Sequence, residues 1–298
     1  MNKKIALVLS GGGARGIAHI GAIEELEEQG FEITSISGTS MGALVGGVYA
    51  AGTLQDYKKW IYTIDKMKIF HLVDFTFSSQ GLIKGDRLFK KMKDFIQDQK
   101  IEDLKVNYAA TATDIKNNKE IVFQKGSLLE AIRASIAIPT VFTPVVSNNS
   151  VLVDGGVMDN VPVKHVKRNK DDLLVIVYVN ADIPVDKPKE SKKEKEKKKN
   201  IYLQKIKELQ EHLPYLHPKN KNEKMGYFDL INKTMSIMTY QLAKNTINKS
   251  NPDILIQTSR HACGVFDFYK AEELVEMGRV AAKKSIETYL KKEVDEVL

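Results

Sequence analysis

The stretch LVLSGGGARG, Leu7–Gly16, decides how this chain is read. A short apolar run ends in Ser10. Gly11, Gly12 and Gly13 follow, then Ala14, Arg15 and Gly16. An apolar run stopped by glycines and followed by a helical pattern is a buried strand turning into a helix. The spacing Gly11-x-Gly13-x-x-Gly16 matches the dinucleotide fingerprint, in which backbone N–H groups cradle a pyrophosphate. It equally suits a loop that stabilises an oxyanion. Two features weigh against phosphate. A P-loop ends Gly-Lys-Ser/Thr, whereas this loop ends Ala14-Arg15-Gly16. A dinucleotide site places an acid about twenty residues on, at the end of the second strand, and that place holds Ser37 and GTSMG.

Around this loop the first third of the chain alternates strand and helix. Lys4–Leu9 reads as a strand, Ala14–Gln29 as a helix stopped by Gly30, Ile33–Ser37 as a second strand and Met41–Ala51 as a second helix stopped by Gly52. Thr53 is placed to cap a helix over Leu54–Ile64. Further on, Phe70–Lys84 reads as loop and Asp86–Gln97 as helix. Val106–Thr113 and Glu120–Gln124 read as strands joined by a Lys116-Asn117-Asn118 turn. Ser127–Ile136 reads as helix, Val151–Val153 as a short strand, and Leu173–Val179 as a central buried strand. Phe228, Ile231, Met235, Met238 and Leu242 recur at helical spacing and are expected to face the core. Ile254–Ile256 and Ala271–Tyr289 close the chain as strand and helix. This rhythm predicts a three-layer α/β/α domain with a central, mostly parallel sheet. A single domain over residues 1–298 is expected, with a lysine-rich insertion at about 185–200 and helices to about 250.

The 298 residues carry a formal net charge of +7. Lys187–Lys199, KPKESKKEKEKKK, holds eight lysines and three glutamates, so most of the excess sits in one segment. No arginine or interleaved aromatic accompanies those lysines, which argues against a nucleic-acid partner. The segment reads as a solvated insertion. Its functional alternative is peripheral contact with an anionic membrane, where each lysine near the surface contributes about 1 kcal/mol. Cys263 is the single cysteine, which fits a reducing compartment. Ile5–Leu9 is too short for a signal-peptide core, and no apolar stretch is long enough to span a membrane. A cytoplasmic location is therefore expected, with peripheral contact at the inner membrane face as the alternative.

Three glycine-flanked motifs follow strands: the opening loop, GTSMG (Gly38–Gly42) and DGG (Asp154–Gly156). Ligands of open α/β sheets bind at the carboxyl ends of the strands, where three such loops can meet. GTSMG fits the Gly-x-Ser-x-Gly nucleophile elbow, with Gly38 and Gly42 clearing space around Ser40. An ordinary strand-to-helix turn with a capping serine gives the same pattern. Asp154 is the candidate base for Ser40, with Gly155 and Gly156 baring the backbone beside it. A simple Asp-Gly turn is the alternative. Amides of the glycine loop are candidate oxyanion donors.

Together the three motifs resemble the patatin-like phospholipases. The similarity extends to ATDI (Ala112–Ile115), RASIAIPTVFTPV (Arg133–Val145), DGGVMDNVPV (Asp154–Val163) and the tail from Pro252 to Ala281. It covers nearly the whole chain apart from the lysine-rich insertion and the helices around it. The resemblance implies a Ser–Asp dyad, with Ser40 as nucleophile, Asp154 as general base and an oxyanion hole within Gly11, Gly12, Gly13, Ala14, Arg15 and Gly16. It implies hydrolysis of a phospholipid or other acyl ester through an acyl-enzyme, without metal or organic cofactor. His19, His165 and His261 are the histidines considered for a triad, and His19 reads as a packing residue. Arg15 either braces the glycine loop or meets a lipid phosphate. The rival to an enzyme is a non-catalytic lipid- or nucleotide-binding module on the same fold. Head group, chain preference and oligomeric state are not legible.

Overall fold

The computed structural model describes residues 3–72, 75–78, 81–83, 85–96, 99–139, 141–147, 149–185 and 226–297. The lysine-rich run Lys187–Lys199 lies outside the described residues. The chain falls into two compact units, residues 1–185 with 237–298, and residues 186–236. Of the second, only Gly226–Ser236 is described.

In chain order the elements are β1 (Lys3–Leu9), α1 (Ala18–Glu28), β2 (Phe31–Thr39), α2 (Met41–Ala50), α3 (Leu54–Tyr62), α4 (Lys66–Leu72), β3 (Phe75–Ser78), β4 (Gly81–Ile83) and α5 (Asp86–Met92). They continue with β5 (Asn107–Asp114), β6 (Lys119–Phe123), α6 (Leu128–Ser135), β7 (Val145–Ser147), β8 (Ser150–Asp154), β9 (Leu173–Ala181), α7 (Tyr227–Ser250), β10 (Ile254–Ser259) and α8 (Ala271–Val297). The strands β10, β9, β1, β2 and β5 run parallel in that spatial order. Past β5 the sheet turns antiparallel through β6, β8 and β7.

The register at β5 places the site. β2 pairs with β5 as far as Thr39 opposite Thr111. β6 pairs with Ala110–Asp114 and so takes the other edge. β8 pairs with Ala112–Asp114 as well, so it must lie on the edge that β2 has just left. Asp154, opposite Ala112, thus descends onto the sheet where β2 ends and Ser40 begins. Asp154 stands at the carboxyl end of β8, as expected of the strand before the DGG loop, but β8 is antiparallel and enters the same edge from outside.

Both faces of the sheet are buried at β1 and β9, as the unbroken apolar runs of these strands require. Ile5, Leu7 and Leu9 of β1 join Val175, Val177 and Val179 of β9 in one core with α1, α2, α6 and α8. Val8, Leu174, Ile176 and Tyr178 point the other way, into a smaller core with Val161, Ala243 and Ile247. That second layer is built from α7 and the segment after β8.

Several local expectations change. The helix expected from Ala14 opens as a 3-10 turn, Gly13–Ile17, and becomes α-helical at Ala18. Residues 70–84, expected as loop, hold the end of α4 and the β3–β4 hairpin. The Thr53 side chain does not cap α3; its hydroxyl donates to the Val48 and Phe95 carbonyls instead. On α7 the expected buried stripe is wrong at its C-terminal end. Met238 and Leu242 are exposed, and Ala243 and Ile247 make the core contact. The side chain of Phe228 lies outside the described residues.

Candidate active site

Ser40 sits at the turn between β2 and α2 with φ 55° and ψ −122°, a strained conformation for a residue with a Cβ. Glycines make the turn sterically feasible. A Cβ on Gly38 would lie 2.5 Å from the carbonyl of Gly42, and one on Gly42 would collide with the carbonyl of Leu9. Hydrogen bonds then pin the backbone. The Ser40 N–H donates to Ser135 Oγ at 2.8 Å, and the Ser40 carbonyl accepts from Leu44 N–H at 3.0 Å. Ser135 is fully buried at the end of α6. Nothing local in the sequence marks it, because its partner is 95 residues away.

The Ser40 side chain meets Asp154, the two carboxyl-edge residues that the sheet register brings together. The Ser40 hydroxyl faces the Asp154 carboxylate, and the Gly156 N–H donates to Asp154 Oδ1 at 2.8 Å. Burial pushes the Asp154 carboxyl up from 3.8 to about 6, against the pull of those two donors. Gly155 has no room for a side chain, since its Cβ would lie 2.5 Å from the Thr111 carbonyl oxygen.

The glycine loop lies against Ser40 on the β1 side. Its residues divide by what their N–H groups already do. Gly11 N–H donates to the Asn160 carbonyl at 3.1 Å and Ala14 N–H to the Val265 carbonyl at 2.8 Å. These two amides are spent on the fold, which corrects their place among the oxyanion donors. Gly16 is a close-packing position, because a Cβ there would strike Met41. Among the described residues, the Gly12 and Gly13 amides take no backbone partner. Gly13 has φ 57° and a Cβ on it would lie 2.7 Å from the Val265 carbonyl oxygen, so only glycine fits. Arg15 braces the loop: Nε donates to Asn180 Oδ1 at 2.8 Å and a terminal nitrogen to the Cys263 carbonyl at 3.3 Å.

Ser40 and Gly13 open onto an apolar pocket of about 110 Å³. Met41, Leu44, Tyr57, Trp60, Ile64 and Phe268 are among the side chains that line it. An apolar pocket beside a polar constellation suits a ligand with an apolar tail and one reactive polar group.

The three histidines considered for a triad face other partners. His19 is fully buried with its Nε2 on the Ser10 carbonyl at 2.8 Å, and burial pushes it down to about 4. His261 pairs with Asp182 at 2.8 Å on the surface. His165 faces Glu120 at 3.0 Å. Glu120, Asp159 and His165 bring three ligand-type atoms together. The Lys164 ammonium, 2.6 Å from Glu120 and 3.8 Å from Asp159, supplies the cation there.

Comparison with known proteins identifies the family. Residues 7–167 match the patatin-like phospholipase family profile. An NTE family protein of Mycobacterium tuberculosis is 30% identical over 338 residues, spanning 96% of this chain and 92% of its own. The lysophospholipase NTE1 of Saccharomyces cerevisiae is 34% identical over 185 residues, which is 59% of this chain but only 11% of that much longer protein. The crystal structure of VipD from Legionella pneumophila aligns over 97% of this chain and 67% of that one, at TM-score 0.49 and 16% identity. Among the described residues, no helix is long and apolar enough to cross a membrane. By the profile match and the near full-length relative alike, the chain belongs to the patatin-like phospholipase family.

Proposed function

We propose that this protein hydrolyses acyl esters of lipids, of the phospholipase A, lysophospholipase or carboxylesterase type, with Ser40 as nucleophile and Asp154 as general base. The observation that carries this reading is the Ser40 hydroxyl set against a buried Asp154 at the mouth of an apolar pocket. The acyl chain enters the pocket and places its carbonyl at Ser40 Oγ. Asp154 takes the hydroxyl proton as Oγ attacks, and the Gly12 and Gly13 amides receive the developing oxyanion. A carboxyl lifted to about 6 is a better base than an ordinary aspartate while still ionised at neutral pH. The tetrahedral intermediate collapses to an acyl-Ser40 ester and releases the alcohol. Water then cleaves the ester.

The test is fatty-acid release from lysophosphatidylcholine and colour release from p-nitrophenyl butyrate by purified protein. Ser40→Ala and Asp154→Ala are each expected to lose at least about 10³-fold in turnover while keeping a cooperative melt. A fluorophosphonate should label the wild type at Ser40. Full turnover in either variant removes the dyad. Absence of both labelling and turnover in the wild type favours a non-catalytic lipid-binding module instead.

A further inference from the structure

One polar side chain beside the dyad is left without a task in this mechanism. Asn160 follows the Asp154 loop and is 8% exposed. Its backbone is fixed, since its carbonyl accepts the Gly11 N–H. Its side-chain Oδ1 is enclosed and has no hydrogen-bond partner. Buried amide oxygens are nearly always satisfied, and where protein does not do so, an ordered water does.

The position of that oxygen is telling. It lies 3.0 Å from the point a Cβ on Gly11 would occupy, and Ser40 Cβ lies 3.2 Å from the same point. At its other end, Asn160 Nδ2 is 3.9 Å from the point a Cβ on Gly156 would occupy, and Asp154 Oδ1 is 3.1 Å from that point. The carboxamide therefore stretches from the Ser40 side of the site to the Asp154 side. The absence of side chains at Gly11 and Gly156 leaves the two ends of the carboxamide uncrowded, since a Cβ on Gly11 would press on Asn160 Oδ1.

We propose that Asn160 holds the water that cleaves the acyl-enzyme, a role that rests on the hydrolase reading above. The water donates one hydrogen to Asn160 Oδ1 and directs the other at Asp154. As the water oxygen bonds to the acyl carbon, Asp154 accepts the second proton and the carbonyl oxygen becomes the oxyanion. The carbon–Oγ bond then breaks, Ser40 Oγ takes the proton back from Asp154, and the free carboxylic acid leaves with the hydrogen that Asn160 held. One water is consumed and one ester bond is cleaved. The alcohol has already gone, so Asn160 acts on the second half of the cycle only.

That restriction gives the test. Wild type, Asn160→Ala and Asn160→Ser are mixed with p-nitrophenyl butyrate in a stopped-flow instrument, and quenched samples are weighed by intact-protein mass spectrometry. Asn160→Ala is expected to keep a nitrophenolate burst close to one per protein. Its steady-state rate should fall by about 10- to 100-fold, with butyryl-Ser40 accumulating. Asn160→Ser, which retains an acceptor oxygen, should recover part of the rate, and it carries the test if the alanine variant fails to fold. Loss of the burst together with the steady state would overturn the proposal, because acylation would then need Asn160 too. An unchanged steady state with no trapped acyl group would overturn it as well. A wild type that neither turns over nor labels at Ser40 would instead defeat the hydrolase reading itself.

Discussion

Asp154 carries a conflict between stability and chemistry. Its carboxyl is buried, and burial holds it near 6 rather than 3.8. As general base it must be ionised, so turnover on a neutral ester is expected to rise with pH through about 6 and level off above it. A rate of hydrolysis that is flat from pH 5 to 8 would contradict that. The same shift has a cost in folding. Between 3.8 and about 6 the folded state binds a proton that the unfolded state has lost, so the contribution of Asp154 to stability falls as pH rises through that window. Above it the penalty is on the order of 2–3 kcal/mol. Asp154→Asn removes the charge and keeps an acceptor for the Ser40 hydroxyl. It should therefore be inactive yet melt at a higher temperature than wild type at pH 8, with the gap closing toward pH 4. Calorimetry at the two pH values checks the sign. The strain at this site lies in Ser40, whose positive φ is held by the glycines around it and by the Ser135 hydroxyl.

At the scale of elements, what was legible followed from local periodicity. β1, β2, α2 and β9 stand close to where their apolar runs and stopping glycines put them. The elbow was legible because it needs its glycines within five residues. Where the pattern misled, a distant partner had changed the meaning of a local signal. The Thr53 hydroxyl looked like a cap but is claimed by carbonyls at Val48 and Phe95. The apolar stripe on α7 looked like a core face, while the core took Ala243 and Ile247. The crossing of α1 and α8 was not legible at all. Gly21 lies against the Val275 carbonyl and Gly278 against the Ala18 carbonyl, two glycines 257 residues apart that let the helix backbones touch. A Cβ on Gly278 would sit 2.7 Å from the Ala18 carbonyl carbon. Gly278→Val is expected to destabilise the fold by about 3 kcal/mol or more, read as a lowered denaturant midpoint. A midpoint within experimental error of wild type would contradict so close a crossing.

At the scale of the whole molecule, the chain by itself determined the parts whose chemistry is local. It specified a strand ending in a glycine loop, a serine forced into a sharp turn, and an aspartate followed by bare backbone. Such features depend on φ/ψ preference and on the period of apolar residues, which a few neighbours settle. Only the tertiary structure decided how the parts combine. β8 takes the edge of β5 that β2 vacates, and that register alone brings Asp154 onto Ser40. The same packing assigned the amides of Gly11 and Ala14 to the fold while leaving those of Gly12 and Gly13 without a backbone partner. It lifted the Asp154 carboxyl by burying it, and left the Asn160 oxygen without a partner between the two. Burial, pairing and an unmet hydrogen bond are properties of what surrounds a group. Here the surroundings come from segments more than a hundred residues apart.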